Sequence, residues 1–281
     1  MAGLRTRTKL LAILKRRGRS ATPQGQSAPP SERGGNVLLD GEPLNSRTPS
    51  QIGYMPEERG LYKKMKVGDH LMYLAQLKDL PKAKAKSEIM KWFEKFEITD
   101  WWDKKVEELS KGMQQKIQFV STVVHRPKLL ILDEPFSGLD PINTNLIKDE
   151  IDQLNKDGIS IIFSTHRMEQ VEEICEEIVL INKGQNILEG KVKNIKEQFK
   201  DNRFRIDYEG ILPEGIEQRV QIVKQTDESI TVQLQDNQNS NELLQHLLTN
   251  GTHVHAFNEI LPTLNEIFIR QVESSNEPVI A

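Results

Sequence analysis

The sequence predicts an α/β fold, a parallel sheet with a helical subdomain, followed by a small α+β domain. Three observations carry that prediction. Strand-like and helix-like runs alternate from Leu129 to Ile181, helical spacing dominates between Gly68 and Leu109, and period-two alternation takes over beyond about Lys200. The implied division is an aberrant or disordered segment over 1–35, a first domain over 36–199 with its helical subdomain at about 68–110, and an accessory domain over 200–281.

Residues 1–35 hold eight Lys or Arg against a single acid, Glu32, and pass into a Pro/Ser/Gln/Gly stretch from Ser20 to Pro30. Such a composition offers too little apolar surface to offset the entropy of ordering. Its Arg-rich, acid-poor character is also that of an organellar transit peptide.

Globular text begins at Asn36. Residues 37–39 form an expected short strand ended by the turn signal Asp40-Gly41, and residues 52–55 another, stopped by Pro56. Leu71, Leu74, Ala75 and Leu77 mark one apolar helical face, and Ile89, Met90, Phe93, Phe96 and Ile98 a second. The two helices are expected to pack through those faces, with Trp92, Trp101 and Trp102 in core or partner packing. Strands at 129–132, 159–163 and 178–181 then alternate with helices at 143–154 and 168–176, the order of a wound sheet. In the last domain, strands are expected at 204–206, 220–223, 230–234 and about 253–257, and helices around 243–248 and 261–272. The polar run 236–241 is a loop and a helix start.

Bulk properties exclude several classes. A formal net charge of -3 with 28% charged residues gives no electrostatic case for nucleic acid as a partner. The longest apolar runs, such as 129–132 and 159–163, fall far short of the roughly 18 residues a spanning helix needs, so a membrane enters only through a partner. The single cysteine, Cys175, excludes an internal disulfide and reads as a core thiol in a reducing compartment.

The chemistry concentrates at one place. Leu129-Leu130-Ile131-Leu132-Asp133-Glu134-Pro135 is an apolar strand that delivers two adjacent carboxylates at its C-terminal end, where open α/β sheets place ligands. In phosphoryl transfer one carboxylate can hold Mg²⁺ while its neighbour positions and activates water; acids at strand ends also serve as solvated turns or helix caps. Upstream, Leu109-Ser110-Lys111-Gly112-Met113-Gln114-Gln115 puts a serine and a glycine at a helix start, where a hydroxyl and backbone N–H groups can face phosphate, or where the serine is an ordinary cap. Ser137-Gly138-Leu139-Asp140 follows Glu134 at once, and Ser164-Thr165-His166 closes the next strand, so His166 lies beside Asp133 and Glu134 if the two strands are neighbours.

These four motifs, in this order and at this spacing, resemble the ATP-binding subunits of ATP-binding cassette (ABC) transporters: 109–115 the signature, 129–134 the Walker B strand, 137–140 the D-loop and His166 the switch histidine. The resemblance covers about 35–190. The final domain, with Leu261-Pro262-Thr263-Leu264-Asn265-Glu266-Ile267-Phe268, looks more loosely like the C-terminal extension of ABC-2-type exporter subunits. The resemblance implies a P-loop NTPase-like core, with ATP and Mg²⁺ as cofactors. By the same resemblance Asp133 helps hold Mg²⁺, Glu134 polarises the attacking water and His166 contacts the γ-phosphate. Ser110 and Gly112 close on the ATP of an opposite subunit, and Gln115, Asp140 and Glu57 stand among the nucleotide-site residues. The implied partners are a transmembrane permease subunit and a second nucleotide-binding subunit. The implied place is cytoplasmic, on the inner face of the membrane through the permease.

Two departures qualify the resemblance. After Ile52-Gly53-Tyr54-Met55-Pro56 the family has Gln and this chain has Glu57, which accepts hydrogen bonds but, when ionised, donates none. The following Glu58-Arg59-Gly60-Leu61-Tyr62 is expected to face the membrane partner or to be an exposed charged turn.

The larger departure is that Gly-x-x-x-x-Gly-Lys-[Ser/Thr], whose backbone N–H groups, lysine and hydroxyl cradle phosphates and Mg²⁺, occurs nowhere. Where it belongs the text is Ile13-Leu14-Lys15-Arg16-Arg17-Gly18-Arg19-Ser20, and Pro23 lies where a phosphate-binding helix continues. The first strand that leads into such a loop is also lacking. Three accounts fit residues 1–35: a shifted reading frame, a P-loop-less pseudo-ATPase, and a transit peptide on a truncated copy. The expected function is coupling of ATP binding and hydrolysis to transport, in the export direction. The alternative is a non-catalytic module that keeps the dimer and membrane-subunit contacts.

Overall fold

Apolar residues at every second position build the sheet centre: Leu130 and Leu132 on one strand and Ile161 and Phe163 on the next are buried, with their neighbours half-buried. The computed structural model describes residues 9–14, 37–235 and 238–276. The chain divides into two units, the first ending at Leu188 and the second beginning at Glu189.

In the first unit the elements follow as β1 (Lys9–Leu14), β2 (Leu38–Leu39), β3 (Glu42–Pro43), β4 (Ile52–Met55), α1 (Val67–Leu77), α2 (Lys82–Lys95), α3 (Lys111–Val123), β5 (Leu129–Asp133), α4 (Pro141–Lys156), β6 (Ser160–Thr165), α5 (Met168–Ile174) and β7 (Glu177–Asn182). Strand β8 (Gln185–Lys191) completes a six-stranded sheet of order β4-β5-β6-β1-β7-β8, and β2 pairs with β3 in a separate hairpin. Strands β4, β5 and β6 are parallel, with Met55 beside Leu132 and Asp133 beside Ser164.

Strand β1 lies where sequence places none. It is antiparallel to both neighbours, with Leu11 beside Ser164 and Val179 and Leu14 beside Ile161. The slot between β6 and β7 presents unpaired backbone N–H and C=O groups from both sides, and an apolar run of this length satisfies them in either direction. Strand β1 runs antiparallel to β6, and its last residue, Leu14, lies beside Ile161, at the edge of the sheet opposite Asp133.

Helices α1, α2 and α3 pack together through residues spaced four apart, Val67, Leu71 and Ala75 against Ala85, Ile89 and Phe93, all fully buried. Each large member contributes about 1.5–3 kcal/mol by leaving water. Trp92 stands edge-on to Phe96 and Phe119, and Trp102 edge-on to Phe93, so both tryptophans pack within the subdomain. Leu77, expected on the buried face, is 60% exposed because α1 ends there and the chain turns away. Cys175 is buried, and that burial pushes its thiol pKa up, so it is an inert core thiol.

The second unit holds α6 (Val192–Gln198), β9 (Arg203–Glu209), α7 (Ile216–Arg219), β10 (Gln221–Gln225), β11 (Ser229–Gln233), α8 (Ser240–Thr249), β12 (His253–Ile260) and α9 (Leu264–Asn276). Helix α6 packs on α9 and so counts with this unit, although sequence composition assigns it to the domain before. The sheet, of order β10-β11-β9-β12, is antiparallel throughout. Its core joins Ile206, Tyr208, Ile230 and Val232 to Leu243 and Leu247 of α8, a helix capped by the Asn239 side chain.

A charged cluster ties β9 to α9: Arg203 binds Asp201 at 2.6 Å and Glu266 at 2.5 Å, and Arg270 reaches the same Asp201 oxygen at 2.6 Å. Burial opposes the charge on Glu266. The Arg203 hydrogen bond and those from the Thr263 backbone and hydroxyl outweigh it, holding the carboxyl at about 2 against an ordinary 4.5. A depressed carboxylate stabilises the fold above its unfolded pKa and loses that contribution as protons return. We therefore expect the thermal midpoint of the second unit to fall between about pH 4.5 and about pH 2. The drop from about pH 5 to about pH 3 should be smaller in Arg203→Gln, measured by circular dichroism melts.

Candidate active site

Parallel pairing of β5 with β6 brings Asp133, Glu134, Ser164, Thr165 and His166 to one edge of the sheet. Asp133 Oδ1 accepts a 2.5 Å hydrogen bond from the Ser164 hydroxyl, and the Glu134 backbone N–H donates to the Ser164 carbonyl at 2.9 Å. Glu134 has φ of 50°, a left-handed conformation that bends the chain as it leaves the strand. Its side chain is 13% exposed and held from three directions. The His166 backbone N–H donates to Oε1 at 2.9 Å, the Thr165 hydroxyl to Oε2 at 3.1 Å, and His166 Nδ1 lies 2.6 Å from Oε1, donating when protonated. His166 itself is 71% exposed, so the carboxylate is fixed while the imidazole faces solvent.

The signature segment comes to the same edge. Ser110 caps α3, its hydroxyl accepting from the Met113 N–H at 3.3 Å. A Cβ added at Gly112 would sit 3.4 Å from the Gly138 carbonyl, so Gly112 lies close to the 137–140 loop of its own chain. Asp140 caps α4: its carboxylate accepts from the Asn143 N–H at 3.0 Å and from the Asn143 side-chain amide at 2.5 Å. First the backbone and then the side-chain bond from Asn143 keep its pKa below the ordinary carboxylate value.

Gln115 is 2% exposed, its amide donates to the Pro135 carbonyl at 3.0 Å, and its carbonyl accepts from Arg59 Nε at 3.2 Å. Both ends of the amide are engaged within the chain, so Gln115 holds the 134–135 turn against α3. Sequence places Arg59 on the outward face with Glu58 and Tyr62. It turns inward instead, and its Nη2 also reaches the Ser137 carbonyl at 3.5 Å. Nothing in the local spacing distinguishes Arg59 from its exposed neighbours, because its partners lie 56 and 78 residues away. Glu57 is exposed at the end of β4, and the preceding carbonyl, that of Pro56, accepts from the Gln118 amide at 2.8 Å.

A family model described as ABC transporter matches residues 24–137, and one described as ATP-binding protein DrrA1-3-like, C-terminal domain, matches residues 190–272. The Bacillus subtilis (strain 168) protein YhaQ, an uncharacterized ABC transporter ATP-binding protein, is 46% identical over 248 residues, covering 85% of this chain and 80% of its own length. The chain belongs to the ABC transporter ATP-binding proteins. Solved structures of such subunits share its core. One, described as an ATP binding subunit of an ABC transporter, is 28% identical with a TM-score of 0.54 and covers 59% of this chain and 71% of its own. A second, cbiO1 from Clostridium perfringens, part of the ABC transporter complex cbiONQ, is 27% identical with a TM-score of 0.51, covering 59% of this chain and 69% of its own. In keeping with an ABC ATP-binding subunit, no helix among the described residues is long and apolar enough to cross a membrane.

Proposed function

We propose that residues 36–199 are the energy-coupling core of an ABC exporter, in which Glu134 activates the water that attacks ATP. The observation that carries this reading is the Glu134 carboxylate, held by the Thr165 hydroxyl and by the backbone N–H of residue 166, with the His166 ring against it. A general base needs its acceptor oxygen fixed before the proton moves, and three contacts fix this one. The proton lost by water goes to Glu134, and His166 bridges that carboxylate to the γ-phosphate.

Asp133 beside the Ser164 hydroxyl offers the hard oxygen donors that Mg²⁺ requires. These residues fit the ion, which supplies neutralisation of phosphate charge when bound. Ser110 and Gly112 close on ATP held by a second nucleotide-binding subunit, Asp140 and Glu57 border that interface, and a transmembrane permease completes the assembly. The site then faces the cytoplasm at the inner face of the membrane. Export is favoured by the final domain, whose match is to the C-terminal domain of DrrA1-3-like ATP-binding proteins.

A second reading concerns the chain with its present residues 1–35. Strand β1 is antiparallel to β6 and β7, which favours a non-catalytic partner that lends Ser110 and Gly112 to another subunit and holds no nucleotide of its own. Equilibrium Mg-ATP binding to the Glu134→Gln variant, where hydrolysis is blocked, separates the two. We expect no saturation at millimolar ATP for the unmodified N-terminus; micromolar affinity would overturn the second reading.

A further inference from the structure

In the second unit, Glu209 ends β9, and the register sets His253, the first residue of β12, opposite it. Val254 pairs with Tyr208 and Ala256 with Asp207, so His255 is the extra residue of a β-bulge. A bulge re-aims the side chain it carries. Here the rings of His253 and His255 stand with centroids 4.8 Å apart and planes at 69°. His255 Nε2 lies 3.5 Å from Glu209 Oε2, beyond the roughly 2.7–3.2 Å of an N–H···O hydrogen bond, so the two are not locked to each other. One ligand atom from each of the three residues lies within 4.8 Å of the other two.

We propose that Glu209, His253 and His255 bind a divalent late first-row transition ion, for which Zn²⁺ fits best. Two imidazoles and one carboxylate are a borderline-soft donor set that suits zinc, whereas Mg²⁺ and Ca²⁺ call for oxygen ligands throughout. Ligands at about 2.0–2.2 Å from a tetrahedral ion stand roughly 3.4 Å from one another. Modest side-chain rotation closes that gap, and it disturbs no core residue, since the Glu209 and His255 side chains are 77% and 51% exposed. Three protein ligands leave a fourth position for water.

The ion's effect follows from where it sits. Strand β12 is an edge strand paired on one side only, and the bulge interrupts its ladder. An ion joining Glu209 to both histidines clamps the edge at the point where backbone hydrogen bonding is weakest. Zinc chloride is therefore titrated calorimetrically into the full, tag-free chain after chelator treatment, alongside Glu209→Gln and a double variant of His253→Ala with His255→Ala.

The expected result is one equivalent bound at micromolar concentration, weakened at least about tenfold in each variant, while melts in chelator match the parent. Co²⁺ should give visible absorption bands in the parent that the double variant lacks. The proposal is overturned if no equivalent binds, or if the first equivalent survives the double variant. Repeating the titration in Glu134→Gln shows whether a surviving equivalent sits at the first unit.

Discussion

Replacing residues 1–35 with a segment that carries a parallel strand followed by Gly-x-x-x-x-Gly-Lys-Thr should raise ATP hydrolysis by about a hundredfold or more over the unmodified chain. Two contributions have to combine. The Glu134 edge supplies an oriented carboxylate, held by Thr165 and His166, but phosphoryl transfer depends on positioning and on charge neutralisation around the phosphates. On the proposed reading, a chain without the cradle presents no bound triphosphate to Glu134. In the grafted chain, Glu134→Gln should remove a factor of about 10²–10⁴, the range of a general base, with ATP affinity retained. Phosphate release at one fixed millimolar Mg-ATP concentration compares the graft with the unmodified chain, and the same assay at saturation in the graft measures the Glu134→Gln loss. A graft that binds ATP yet hydrolyses it equally well after the Glu134→Gln change would take the base role away from Glu134.

Gly53→Val is the structural counterpart. A Cβ at residue 53 would stand 2.5 Å from the Thr122 carbonyl oxygen, 2.9 Å from Leu130 Cδ1 and 3.1 Å from Pro127 Cγ. The nearest of these is backbone in the last turn of α3, so no rotamer change relieves it. The missing side chain at Gly53 is what lets β4 lie flat on α3. Overpacking of a rigid contact costs about 3 kcal/mol or more here, at the upper end for a single substitution. Urea unfolding should show that loss for Val and a smaller one for Ala. The effect reaches the residues before Glu57, because the Pro56 carbonyl follows directly from β4 and is held by the Gln118 amide on α3. A variant that unfolds like the parent would mean that β4 and α3 separate more easily than their contact distance implies.

What sequence shows and what it hides divide along physical lines. Strands β4 to β7 and helices α1, α2, α4 and α5 are legible because each has one buried face, and burial writes a period into the residues; of α3 only the start is read, from Ser110 and Gly112. Strand β8 is not legible: it is the exposed edge of the sheet, with only Ile187 and Leu188 as large apolar residues, so no alternation is imposed on it. The meeting of Glu134 with His166 is legible because it needs only that β5 and β6 be neighbours. The engagement of Gln115 and Arg59 is not, since it depends on helix α3 meeting two loops from separate stretches of chain. Strand β1 is not legible either: its six residues sit in a basic segment whose composition reads as disordered or aberrant, and its direction is decided by the slot it fills.

That direction has a practical consequence for anyone assaying this protein. A sheet whose middle position is filled by an antiparallel strand keeps that position hydrogen-bonded whether or not a phosphate-gripping sequence accompanies the strand. Yield, dichroism and melting curves then report a sound protein whether or not the nucleotide grip exists. Only an assay with nucleotide in the cuvette tells the two apart.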